Sequence, residues 1–177
     1  MDLLRIGEKV ISKKRVLRSV DKIFELRAMG ISQTETAKKV GVDRTLVSRL
    51  ESLGEVRKGA PIAVLGFPIK NRDEVEAVLN KEGVEFYLIL TEEQRRGFLH
   101  QNGLELFNYV MDIIAQLKEY DQVVVIGSNY RIELMSAVIG RDVVGLEIGK
   151  SPIEEDKLVS LEEVRRVIKI LKGGGDS

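Results

Sequence analysis

Val123-Val124-Val125-Ile126-Gly127-Ser128 is the stretch that decides the fold. Four consecutive β-branched residues favour extended backbone, and because neighbours point to opposite sides, a strand here is apolar on both faces. Gly127 permits a tight turn, and Ser128 is of the type that caps a helix, expected to run through Val138. A doubly buried strand followed at once by a helix is the building unit of a parallel sheet. Residues 62–66 repeat the pattern and lead to a helical stretch over 72–82. Residues 84–90 repeat it again. There Thr91, with Gln94 in capping-box spacing, opens a helical region that reaches Glu119 with an interruption at Asn102-Gly103. Residues 143–148 form the fourth run, and Ser160 with Glu163 opens a last helix to Leu171. The fold class is α/β. A three-layer domain with a mostly parallel four-stranded sheet is expected over residues 60–177.

The texture before residue 60 is different. Residues 1–11 mix apolar and polar side chains, and their reading stays open between a strand and half a helix. Ser12 marks the start of a helix to about Met29, with Val16, Val20, Ile23, Phe24 and Leu26 or Arg27 marking its inner period, and Gly30 ends it. Ser32 and Glu35 have capping-box spacing and open a short helix to Val40. Gly41 stops that helix, and Asp43 is positioned to cap a third one reaching Leu53. Residues 54–61 are the linker, so residues 1–59 are expected to form an all-α domain.

Charge divides along the same line. The chain has 28 basic and 28 acidic residues, yet residues 1–59 carry 14 basic against 8 acidic, a net +6, and residues 60–177 carry the opposite −6. The first part is suited to a polyanion and the second is not. Cysteine is absent, which excludes a disulfide scaffold, cysteine-bearing zinc sites, iron–sulfur clusters and a cysteine nucleophile. The single histidine, His100, is expected on a helix surface rather than in acid–base catalysis. No run approaches the ~20 apolar residues of a membrane helix, and no leader pattern opens the chain. A cytoplasmic protein with no membrane partner, no metal and no cofactor is therefore expected.

Residues 33–52, QTETAKKVGVDRTLVSRLES, have helix-turn-helix spacing. Ala37 is small where a second helix crosses, and Gly41 supplies the left-handed backbone of a short turn. Thr36 or Ala37, Val40, Val42, Val47 and Leu50 point inward. Arg44, Thr45, Ser48 and Arg49 are then outward, with chemistry suited to base edges and phosphates. The run Ser32-Gln33, Ala37, Gly41-Val42, Arg44, Val47-Ser48-Arg49-Leu50-Glu51 resembles the Cro and lambda-repressor type of helix-turn-helix found in bacterial transcriptional regulators. That resemblance implies double-stranded DNA as partner. It places Gln33, with Thr34 beside it, at the DNA backbone, and Arg44, Thr45, Ser48 and Arg49 in the recognition helix. It also implies a homodimer on two half-sites, and the apolar side chains of residues 92–119 are the expected interface.

In a parallel sheet, ligands bind beyond the carboxyl ends of the strands. Those ends carry Lys70, Asn71, Ser128, Asn129 and Arg131, with Arg72 and Lys150 nearby. A small anion, phosphorylated or carboxylated, is the expected effector. Gly149-Lys150-Ser151 is followed by Pro152 rather than a helix and is no phosphate-binding loop of the nucleotide type. Glu154-Glu155-Asp156 reads as solvated charge, not a catalytic cluster. Val125-Ile126-Gly127-Ser128 weakly resembles the phosphosugar loop of sugar-phosphate-sensing regulators. Gly66-Phe67-Pro68 lacks the nucleophilic serine that recombinases with an N-terminal DNA-binding domain carry after their first strand. The expectation is a non-enzymatic, sequence-specific transcriptional regulator. The alternative is a DNA-processing or small-molecule enzyme that uses the first domain for targeting.

Overall fold

The computed structural model describes residues 2–55, 59–98, 102–141 and 143–173. The chain is mixed α/β and divides into two compact units, Met1–Glu55 and Val56–Ser177. Gly59 belongs to the second unit rather than the first, because its N–H donates to the Leu171 carbonyl at 2.9 Å.

The first unit is not all-α. It opens with an antiparallel hairpin of β1 (Leu3–Ile6) and β2 (Lys9–Ser12), with Ile6 opposite Lys9 and Leu3 opposite Ser12. The connection Gly7-Glu8 starts with glycine at φ 60°, the position where a two-residue turn requires positive φ. The alternation Leu4, Arg5, Ile6 is a strand signal too short to distinguish from half a helical turn, so residue order alone leaves residues 1–11 open. Asp2 ties the hairpin to the first helix. Its carboxylate accepts from the Ser12 hydroxyl at 2.8 Å and from the Lys14 N–H at 2.7 Å.

That helix is α1 (Lys13–Ala28), and α2 (Gln33–Val40) and α3 (Arg44–Leu53) come after it. The Ser12 and Ser32 hydroxyls accept from the N–H groups of Arg15 and Glu35, satisfying amides that have no partner inside the helix. Asp43 occupies the corresponding position of α3 but makes no side-chain cap. Gly41, at φ 78° and ψ 39°, turns the chain between α2 and α3 and donates to the Ala37 carbonyl. Ile23, Ala37 and Val47 form the buried centre, with Val40, Val42 and Leu50 packed around it. Val16 and Phe24, on the expected inner period of α1, are 51% and 40% exposed.

The second unit runs β3 (Ile62–Gly66), α4 (Arg72–Lys81), β4 (Phe86–Ile89), α5 (Glu92–Gly97), α6 (Gly103–Lys118), β5 (Gln122–Ser128), α7 (Asn129–Ile139), β6 (Val144–Gly149) and α8 (Leu161–Leu171). Its four strands lie in the order β4-β3-β5-β6 and all pair in parallel. The central strands β3 and β5 are buried along their whole length, while the edge strands are half-buried. Alternate residues serve opposite faces. Ile62, Val64, Val124 and Ile126 pack with Val75, Val78 and Leu79 of α4 and Val164, Ile168 and Leu171 of α8. Ala63, Leu65, Val123 and Val125 pack with Leu117 of α6 and Ile139 of α7.

Two close approaches need glycine. A β-carbon on Gly66 would lie 2.6 Å from the Ile69 side chain, and one on Gly145 would lie 2.7 Å from Ile132. Residues 150–159 return across the carboxyl end of the sheet and are bound to the loop after β3. The Lys157 backbone N–H donates to the Pro68 carbonyl at 3.1 Å, and the Lys70 backbone N–H donates to the Lys157 carbonyl at 2.8 Å. Among the described residues no helix is long and apolar enough to cross a membrane.

Candidate functional site

In the first unit, burial of Val47 on one side of α3 leaves Arg44, Thr45 and Arg49 exposed and Ser48 half-buried. None of these four side chains has a hydrogen-bond or ion-pair partner among the described residues. Four unpaired polar groups on one short helix form a surface free to contact something else.

What holds α3 in place is Glu51. One carboxylate oxygen accepts from Arg27 Nε of α1, and the other accepts from Gln33 Nε2 of α2 at 2.7 Å. Hydrogen bonds from Arg27 and then Gln33 hold the Glu51 carboxyl below the usual carboxylate range, against the effect of burial. The Arg27 guanidinium also donates to the Ile31 carbonyl, at the turn into α2. One carboxylate thus joins three helices. Gln33, expected at the DNA backbone, gives one of its two amide N–H groups to this internal contact. Thr34, next to it at the start of α2, is exposed. Thr36 is fully buried, and its hydroxyl has no hydrogen-bond partner among the described residues.

In the second unit, β3 pairs with β4 on one side and with β5 on the other, so the connections leaving the two central strands diverge. Such a divergence opens a crevice at the carboxyl ends. A pocket of about 200 Å³ lies there, with Phe67, Arg95, Ser128, Arg131 and Glu154 among its walls. Ser128 is buried, and its hydroxyl accepts from the Arg131 N–H at 3.3 Å, capping α7. The Arg131 guanidinium lies over the Phe67 ring, 5.6 Å from its centre. It has no carboxylate partner among the described residues.

Arg95 carries no signal in residue order that marks it as a site residue. The Thr91–Gln94 capping box starts α5 and fixes the helix phase that presents it to the pocket. Arg95 Nε and Nη2 each donate to Glu92 at 2.7 Å, and Arg96 adds a bond to the same carboxylate at 2.9 Å. The hydrogen bond from Arg95 is the main reason the Glu92 carboxyl is held down to about 2, opposed by burial and assisted by Arg96. Arg95 is therefore charge-paired, unlike Arg131.

Three other expected ligand residues have different roles. Asn71 donates to the Val159 carbonyl and accepts from the Val159 N–H, both at 2.9 Å, so its amide is consumed in joining two loops. Asn129 Oδ1 accepts from the Ser151 N–H at 3.1 Å. Lys70 is exposed and stands outside the pocket walls. Its charge assists Lys157 in holding the Glu155 carboxyl below the usual range. Asp156 accepts from the Glu92 N–H at 2.6 Å, which gives the acidic run 154–156 a structural member.

A second cavity of about 420 Å³ adjoins the first, sharing Phe67, Arg95 and Arg131. It lies between α6, α7 and the ends of β3 and β4. Apart from the two guanidiniums and the Tyr109 hydroxyl, every lining side chain among the described residues is apolar. His100 lies outside the described residues. Among those described, no group of His, Cys, Asp or Glu could hold a metal ion. No protein-family model, curated protein or solved structure matches the chain.

Proposed function

We propose that the protein is a sequence-specific DNA-binding transcriptional regulator, in which residues 1–55 read DNA through a helix-turn-helix and residues 56–177 dimerise and sense a small anion. One observation carries the DNA reading. α3 follows the Gly41 turn with Val47 buried beneath it, and its outward Arg44, Thr45, Ser48 and Arg49 have no internal partners among the described residues. Arginine can engage guanine through two parallel hydrogen bonds, and serine or threonine can reach a base edge or a phosphate. The net +6 of residues 1–59 supplies the sequence-independent attraction. Gln33, which gives one N–H to Glu51 and keeps its second N–H and its carbonyl oxygen, and the exposed Thr34 beside it are the residues at the start of α2 that would meet the DNA backbone.

A single reading helix offers little contact area, so two copies on half-sites about one helical turn apart are expected. Leu104, Phe107 and Met111 form an outward stripe on α6 at 67%, 61% and 48% exposure, and they supply the surface for twofold pairing. Selection of genomic fragments bound by the full chain defines the operator. Arg44→Ala and Ser48→Ala should then each weaken operator binding by about 1–3 kcal/mol without changing thermal stability. Unchanged affinity in both variants would overturn α3 as the reading helix.

A further inference from the structure

We propose that the α/β unit binds an amphipathic monoanion, a medium-chain carboxylate, with its head at Arg131 and its tail in the groove beneath α6. This deepens the anion-sensing reading of the unit and is independent of the DNA reading. The two cavities at the carboxyl edge of the sheet share Phe67, Arg95 and Arg131, so one molecule can occupy both. The smaller cavity is polar. The larger, about 420 Å³, lies within the size range of small-molecule sites and is lined almost wholly by aliphatic and aromatic side chains.

The groove follows from how α6 packs. Residues 106, 109, 110, 113 and 114 recur at helical spacing and face the groove, while Leu117 near the end of the helix is the one α6 residue that is fully buried. Leu104, Phe107 and Met111 lie about a third of a turn away on the same helix and are a separate surface. An apolar wall with a single cationic region at its mouth selects for a ligand that is apolar along its length and anionic at one end.

The charge at the mouth sets the head group. Arg95 is already bound by both oxygens of Glu92. Arg131 is unpaired among the described residues and held over Phe67. Glu154 also lines the polar cavity and contributes a negative charge to it. One unpaired guanidinium beside a carboxylate suits a single negative charge better than a phosphate dianion. With its centre held 5.6 Å from the Phe67 ring centre, the guanidinium can present an edge to a carboxylate in a two-pronged contact.

The test is calorimetric titration of the full chain with sodium decanoate, decanol, decyltrimethylammonium, acetate and inorganic phosphate, each below its micelle-forming concentration. Decanoate should bind one per chain. Acetate and phosphate should be at least ~100-fold weaker, and the cationic amphiphile at least ~10-fold weaker. Arg131→Met, which keeps an apolar stem over Phe67, should weaken decanoate ~10-fold or more and leave decanol unchanged. Met135→Trp should fill the groove and weaken both. If Arg131→Met unfolds the chain, Arg131→Gln serves the same purpose.

Phosphate or acetate binding as tightly as decanoate would reduce the site to a pocket for the head alone and overturn the proposal. Equal binding of the cation and the anion would show adsorption rather than a site. Failure of all amphiphiles, together with a dimer that Val110→Arg dissociates, would assign the groove to a second copy. Operator binding by Arg131→Met separates this result from the DNA reading, which stands or falls on α3.

Discussion

The two units solve the same problem with different materials. The α/β unit has apolar layers on both sides of a sheet whose central strands are buried end to end. The N-terminal unit has Ile23, Ala37 and Val47 at its centre and little apolar material around them. Small cores gain less from burial, because the surface removed from water grows with size. The first unit supplements its core with directional contacts. Serine caps hold α1 and α2, Asp2 binds the start of α1, and Glu51 bridges three helices. The N-terminal unit should therefore depend on its polar contacts more than the α/β unit does.

That contrast can be broken most directly in the sheet. Ile126 is 1% exposed and sits in the middle of the larger core. Ile126→Ala should destabilise the α/β unit by about 2–5 kcal/mol, the range for a truncated buried aliphatic side chain. Scanning calorimetry should show one transition moving while the transition of the N-terminal unit holds. A shift of both together would mean the units unfold as one and would remove the comparison.

The next effect is smaller and belongs to the first unit. Glu51→Gln keeps the shape but weakens the contacts to Arg27 and Gln33, at an expected cost of about 1 kcal/mol because the pair is partly solvated. The carboxyl titrates lower in the folded chain than in the unfolded one. Its contribution is therefore complete above the ordinary value of 4.5 and is lost as pH falls through the lower folded value. Thermal melts of wild type and variant should converge as pH drops from neutral toward 3. Parallel curves across that range would show that Glu51 does not brace the helices. In the α/β unit, the contribution of Glu92 should be complete above 4.5 and decline progressively as pH falls toward about 2.

The smallest effect has the opposite sign. Thr36 places a hydroxyl without a partner inside the N-terminal core. Valine has the same shape and no group to desolvate, so Thr36→Val should stabilise the unit by about 1 kcal/mol in a denaturant titration. Destabilisation would mean the hydroxyl is bonded through water.

These features differ in how far they are readable from residue order alone. Helix starts at Ser12, Ser32, Thr91, Ser128 and Ser160 are legible because a cap acts across three residues. The four strands and their parallel class are legible from apolar runs separated by helical periods. Asp43 shows the limit of such reading, since it stands at a cap position and makes no cap bond. The hairpin is obscured by its brevity. Asn71 reads as a ligand residue because its actual partner, Val159, is 88 residues away, and no local pattern carries that information. At the pocket on the carboxyl edge of the sheet, Ser128 and Arg131 are visible as the residues after a strand. Arg95 and the groove emerge only when α5, α6 and α7 are brought to one edge.

The lacing of residues 157–159 to the loop after β3 also orders events during synthesis. β3 is the first strand of the sheet to be made and is central in it, yet the loop after it acquires its partners at Lys157 and Val159 only after all four strands have been translated. One face of β3 stays without its full cover until α8 has left the ribosome. Contacts in the N-terminal unit span much shorter stretches of chain, so that unit can close while the rest is still being made. A half-made chain would carry both a finished α3 and an apolar sheet face still open to other proteins. The exposure to aggregation during synthesis therefore falls on the sheet and not on the helices.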